Sequence, residues 1–347
     1  VTQRWINRPQ GANWGEFGDD DQLGRINLLD HQAVLRGARE ITAGKSFCLS
    51  LPLNLPGGNR LNPRRHAPVL RPTELQGEPY INFATRRNQP DAVDVISDDA
   101  VLLWTQYSTQ WDSLAHVGQL FDVDDDGEDE IVYYNGYRGG TDVVGPRDYL
   151  KDGEPTGRDY TGAAALGIEH MATHGMQGRG VLVDLRHHFG DERKLINYNQ
   201  LHEVLEADNV TVAQGDILCL HTGLGDRIVE MAGDPDAEVL HNICTALDGR
   251  DERLLQWITD VGVVAIVADN YAVEGLPSRP AGSAPHSKLP LHEHCLFKLG
   301  IPLGELWYFT ELAAWLREHK RSRFMLTAPP LRLPGAVGSP VTPIATV

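Results

Sequence analysis

The sequence predicts an α/β fold: a single domain in which a mixed β-sheet is flanked by helices. Three observations predict it. Stretches with the two-residue period of strands alternate with stretches of helical period along the chain. One run, 263–268, is apolar on both faces and rich in β-branched residues, the pattern of a central strand covered on both sides. No repeat, low-complexity tract or Gly/Ser linker divides the 347 residues, so 1–347 reads as one domain.

The elements follow in order. Asp30 is placed to cap a helix running to Ile41. In 46–53, Phe47, Leu49, Leu51 and Leu53 share one face of a strand. Strands are also predicted over 101–108, 130–134, 180–185 and 216–221. Residues 199–207 read as a short helix. A longer one runs from Asp234 to 247 with Pro235 at its first position. Leu254, Leu255, Ile258 and Val261 make the apolar stripe of a helix over 251–261. The helical pattern of 291–299 stops at Gly300, and Thr310 is expected to cap a helix reaching Glu318. From about 328 to 347 the chain is Pro-rich and ends apolar, as for an extended tail on the surface or on a partner subunit.

Charge and composition exclude several classes. A net charge of −17 without a basic cluster argues against nucleic acid and anionic membrane as partners. The longest apolar stretch, 261–268, is far too short to span a bilayer. Cys48, Cys219, Cys244 and Cys295 are widely spaced, with no CxxC pair, and read as reduced thiols in a cytoplasmic protein. There is no G-x-S-x-G elbow, phosphate loop or complete dinucleotide fingerprint.

The dense polar segment is 104–116. Gln106, Gln110 and Asp112 fall on even positions, so on an extended chain they project from one face. Their oxygens are suited to converge on one cation, with His116 at the edge. Oxygen-rich sets favour Mn²⁺ or Mg²⁺, and imidazole also admits Zn²⁺. The competing reading is a polar strand paired with neighbouring backbone.

This segment resembles the signature H-x-G-T-H-x-D-x-P-x-H of the cyclase family, whose relatives include kynurenine formamidase and isatin hydrolase. Thr109, Asp112 and His116 match it. Gln106 and Gln110 stand at two histidine positions, Ser108 at the glycine and Leu114 at the proline. The resemblance continues through Asn13–Gly24, Gly178–Asp184, Gly215 to Leu218, Leu289 to His292, Gly300, Glu305, and Gly338 to Ala345. It is nearest to the longer members.

The resemblance implies the family's α/β fold and a homo-oligomer, dimer or tetramer. It further implies a metal-dependent hydrolase acting on a cyclic or acyl amide, or a lactone, of a small substrate. Two imidazoles replaced by amides weaken nitrogen donation, so one Mn or Zn ion per subunit is expected rather than two. Gln110, Asp112 and His292 would hold it, supplemented by Gln106, His116 or Glu305. Asp112 would position the water, and His116, with Glu305, would move protons. Two other classes stay open: a metal-free cyclase, dehydratase or isomerase using His116 as acid–base, and a non-catalytic binding relative.

Further candidates come from the residues themselves. Trp104, Trp111, Trp14 and Phe17 are candidates for an apolar substrate wall, or for core. Tyr134, Asn135 and Tyr137 are placed to close over the site. His294, two residues from His292, points elsewhere on a helix. Asp269, Asn270 and Glu274, after the apolar strand, are either substrate-binding or turn-forming. The Asp122, Asp124, Asp126 run reads as an acidic hairpin, because Tyr133 stands where a calcium loop needs glutamate.

Overall fold

The computed structural model describes residues 3–145, 162–282 and 285–347. Nine strands form its main sheet: β1 (Ser46–Cys48), β2 (Gln110–Asp112), β3 (Gln177–Asp184), β4 (Ile217–His221), β5 (Ala265–Ala268), β6 (Leu303–Glu305), β7 (Arg323–Thr327), β8 (Gly338–Pro340) and β9 (Ile344–Thr346). Their order is β1-β9-β7-β3-β4-β5-β6-β2-β8. Strands β3 to β6 run parallel, and every other pairing is antiparallel, so the sheet is mixed as expected.

Alternation along the central strands builds two cores. Leu218 and Leu220 of β4 face one side with Ile266, Ala268 and Leu303. They lie beneath Leu201 and Val204 of one helix (Tyr198–Ala207) and Leu254 and Ile258 of another (Glu252–Val261). Ile217 and Cys219 face the other side with Ala265, Val267 and Trp111, under Leu312 and Leu316 of the helix Thr310–Glu318. Full burial on both faces explains the unbroken apolar run of β5.

Local signals set several ends. The Asp30 carboxylate accepts from Ala33 N at 2.8 Å and starts His31–Ala38. Asn197 and Gln200 form a reciprocal capping box for Tyr198–Ala207. Gly300, at φ 60°, stops Glu293–Leu299, which is wound as a π-helix.

Other expectations are corrected. The strand at 101–108 is only Asp99–Leu102, exposed and paired with Val69–Pro72. A turn closed by Tyr107 N on Trp104 O follows, so Gln106 shares no strand face with Gln110 and Asp112. The helix at 234–247 shrinks to Ala237–His241, capped by Asp236. Cys244 then turns at φ 61° with its N–H on Asp191 O, and Thr245–Leu247 becomes a strand beside Lys194–Ile196. Thr310 is not a cap, for its hydroxyl bonds Asp226 at 2.5 Å. The end of the chain is no surface tail. β9 inserts between β1 and β7, and Ala345 and Val347 are fully buried, because only the sheet offers those apolar groups cover. Among the described residues no helix is long and apolar enough to cross a membrane.

Candidate functional site

A buried polar cluster lies where β2 and β6 meet the segment that follows β5. Antiparallel register sets Glu305 opposite Gln110 and Leu303 opposite Asp112. Alternation then sends Gln110, Asp112 and Glu305 to the same side of the sheet, while Trp111 faces the opposite core. His292, at the entry to the π-helix, comes down onto them. Gln110 Nε2 donates to Glu305 Oε2 at 2.8 Å and lies 3.4 Å from Asp112 Oδ1. His292 Nε2 is 3.4 Å from Glu305 Oε1. Its Nδ1 is 2.7 Å from Glu274 Oε1, and Glu274 also accepts the backbone N–H groups of Leu291 and His292, each at 3.0 Å.

The backbone is forced at both carboxylates. Val273, just before Glu274, has φ 58°, and Leu306, just after Glu305, has φ 55°. Side chains of this size avoid the left-handed region. Asn270 holds both in place: its Oδ1 accepts Val273 N at 2.7 Å and its carbonyl accepts Leu306 N at 2.8 Å.

Electrostatics follow from burial. Burial, with Glu305 nearby, lifts Asp112 to about 6 against the opposing charges of His116 and His292. Burial also disfavours the charged form of His292, but the Glu274 and Glu305 carboxylates on its two nitrogens outweigh this and raise it to about 10. Burial holds His116 below the ordinary imidazole value.

Asp112, His292 and Glu305 each offer a ligand atom, and these atoms lie within 4.8 Å of one another. Gln110 Oε1 and Asp112 Oδ2 are buried with no hydrogen-bond partner. An unpartnered buried acceptor is costly, and a cation resolves it. Glu274 fixes His292 through Nδ1 and leaves Nε2 toward the cluster, the arrangement used to orient a metal-binding imidazole. The residues present therefore fit one divalent ion.

The family model Putative cyclase matches residues 49–275. A novel cyclase of known crystal structure is 31% identical over 97% of both chains, with a TM-score of 0.73. The chain belongs to the cyclase family. Isatin hydrolase A from Labrenzia aggregata shares the fold at 9% identity, over 87% of this chain and 93% of that one, with a TM-score of 0.54. Isatin hydrolase A from Ralstonia solanacearum does so at 12% identity, over 87% and 91%, with a TM-score of 0.52. A search of curated proteins finds no significant match.

In this member of the cyclase family the sequence-derived candidates separate into two groups. Gln110, Asp112, His292 and Glu305 come together. His116 joins their edge, its Nε2 3.7 Å from Asp112 Oδ1. Gln106 stands apart: its Oε1 accepts from Thr105 and its Nε2 faces His116 Nδ1 at 3.4 Å. It supports the imidazole rather than the cluster.

The aromatic wall is not assembled. Trp111 is core, packed on Trp307 and donating to Ala328 O. Trp14 is also core, donating to Phe297 O, and Trp104 rests on the His66 ring. Asn135 bonds the carbonyls of Gly18, Asp19 and Asp21, Tyr137 bonds Asp20 O, and Tyr134 reaches Asp21, so these three fasten the N-terminal segment. Phe17 is half-buried on that segment's turn.

His294 bonds Thr259 Oγ1 at 3.0 Å, away from the cluster. Asp269 caps the 222–223 loop through Thr222 and Gly223. In the acidic hairpin Arg138 pairs with two of the carboxylates, reaching Glu130 at 2.8 Å and Asp124 at 3.3 Å. Asn270 takes the turn-forming role the sequence allowed, and Glu274 takes neither that role nor substrate binding but fixes His292. Their one sequence signal was their place just past the buried strand β5.

Proposed function

We propose that this cyclase-family chain is a hydrolase that opens a cyclic or acyl amide, or a lactone, of a small substrate, using one Mn or Zn ion. The observation that carries the reading is the pair of buried, unpartnered oxygens of Gln110 and Asp112 beside Glu305 and His292. Asp112, His292 and Glu305 would hold the ion, with Gln110 Oε1 as a neutral fourth donor. An ion held there supplies a polarised substrate carbonyl and a water of lowered pKa.

The remaining work belongs to the chain. Glu274 and Gln110 fix the donors, and Asp112 orients the attacking water. Gln106 turns its N–H groups to His116 Nδ1 because Thr105 occupies its oxygen. That leaves the proton of neutral His116 on Nε2, beside Asp112 and at the solvent edge. From there it is given to the leaving nitrogen or oxygen. Glu305 receives the proton released by water.

A second reading has its own observation. With both carboxylates on its ring nitrogens, His292 is fully paired as an imidazolium, so a proton takes the place of the cation. His116 would then act alone in a metal-free cyclase, dehydratase or isomerase.

Metal content separates the two. Plasma mass spectrometry of untagged protein, purified without added metal, should give close to one Mn or Zn per chain, lost in Asp112→Asn. Such protein should then hydrolyse members of a lactone and cyclic-amide panel. Metal-free protein with an unchanged melting temperature after chelation overturns the hydrolase reading and leaves the second.

A further inference from the structure

The carboxyl ends of three parallel strands carry a second buried polar row. Asp184 ends β3 and His221 ends β4, the two paired in register, and Asp269 follows the last residue of β5. His221 Nδ1 is 2.8 Å from Asp184 Oδ1, and its Nε2 lies 3.9 Å from Asp269 Oδ2 with no hydrogen bond of its own. Both His221 and Asp269 are buried. We propose that His221 is a buried imidazolium that holds the Asp269–Asn270 corner, and through it is a positioning residue for the Glu274 and Glu305 carboxylates.

The charge state follows from the geometry. Asp184 also accepts His187 N at 3.2 Å and pairs with Arg317 at 2.5 Å, as an ionised carboxylate does. His221 Nδ1 therefore carries a proton. In a neutral ring Nε2 would then turn its lone pair toward the Asp269 carboxylate, two electron-rich atoms facing each other in the interior. A second proton on Nε2 makes the same approach attractive. Asp269 accepts Thr222 N and Oγ1, each at 2.6 Å, and Gly223 N at 2.7 Å. Burial raises its carboxyl, and His221 acts with those donors to keep it ionised. Burial opposes the charge on His221 too, but Asp184 and Asp269 outweigh it and hold the ring above its ordinary value. Arg186, on the helix Leu185–Phe189, opposes that charge, and its own is taken up by Asp191 and Asp226.

The link to the site is short. Asn270 follows Asp269, and it binds Val273 N through Oδ1 and Leu306 N through its carbonyl. These are the two residues whose positive φ sets Glu274 and Glu305. Such backbone keeps its conformation where its surroundings hold it. Loss of the imidazolium leaves Asp269 as an uncompensated buried charge, and the corner loosens.

The inference rests on the cluster and holds for either functional reading, so its test uses neither metal nor turnover. Hydrogen exchange of the full chain is followed by mass spectrometry in peptides spanning 270–275 and 304–308, with the helix Tyr198–Ala207 as reference. Wild type and His221→Gln are compared from pH 6 to pH 10, with rates corrected for the intrinsic effect of pH. At pH 6 the variant should exchange at least tenfold faster in both peptides, with the reference helix within about twofold. The gap should shrink as pH rises. A raised imidazole contributes fully below its unfolded value near 6.5, and the contribution is lost as pH passes the folded value. Asp184→Asn, which keeps the shape of that side chain, should match wild type at pH 6 and lose protection at a lower pH than wild type does. If the glutamine variant fails to fold, this displacement carries the test. Equal protection of wild type and His221→Gln at pH 6 overturns the proposal. So does a gap that is the same at every pH, or a loss shared equally by the reference helix, which would make His221 a general packing residue.

Discussion

Two histidines, His116 and His294, show how burial and partners divide function at the residue scale. His116 is at the rim, with a side chain 23% exposed. His116→Asn is expected to lower turnover by about 10²–10⁴ while moving the melting temperature little. Steady-state kinetics beside a thermal melt check both halves. His294 carries stability rather than chemistry. Burial, then the Lys298 charge, lowers it to about 4. The folded pKa therefore lies below the unfolded one near 6.5. Its contribution is complete above pH 6.5 and is lost as pH falls toward 4, because only the unfolded chain takes up the proton. Roughly 3 kcal/mol is at stake over that window, from about 1.4 kcal/mol per unit. Urea unfolding at pH 7 and pH 4 should show a drop smaller by about this amount in His294→Gln than in wild type.

At the scale of elements, the site depends on how the π-helix ends. Gly300 stops it at φ 60°, and its backbone touches Gly24 so closely that a Cβ would lie 2.6 Å from Gly24 Cα and 2.9 Å from the Tyr134 ring. Gly300→Ala is expected to cost about 2–4 kcal/mol, from the left-handed conformation and the overpacking together. Because His292 sits at the other end of the same segment, the variant should also hold less metal than wild type. Denaturant melts and metal content, measured on one preparation, test the two effects. This close approach has no signature in the glycine itself. Gly300 is readable as a helix stop, but its contact with residue 24 is not.

At the scale of the molecule, the chain end completes the sheet. β9 pairs with both β1 and β7, and the Val347 carbonyl accepts from Ala43 N and Gly44 N. Removing 344–347 would strip the backbone partners from two strands and uncover Phe47 and Leu326 of the adjoining core. The truncated chain should melt at least 10 °C lower or aggregate, whereas an unchanged melt would show that β9 is dispensable.

The sequence by itself determined the class of the molecule and much of its local structure. Periodicity reports which face of a segment is apolar, and Asp30, the 251–261 stripe and Gly300 act on their nearest neighbours in the chain. It also brought Gln110, Asp112, His292 and Glu305 forward as candidates, on motif resemblance. Only the tertiary structure decided that these four meet, that Gln106 serves His116 instead, and that Trp111 belongs to the core. The cluster draws on residues from 110 to 305, and it exists because β2 pairs antiparallel with β6 in one register. A slip of one residue would bury Trp111 in the site and turn Gln110 and Asp112 to the far core. Strand partners and register are chosen by packing between distant segments. Local pattern therefore specifies which side chains alternate, and the assembled sheet specifies what they face.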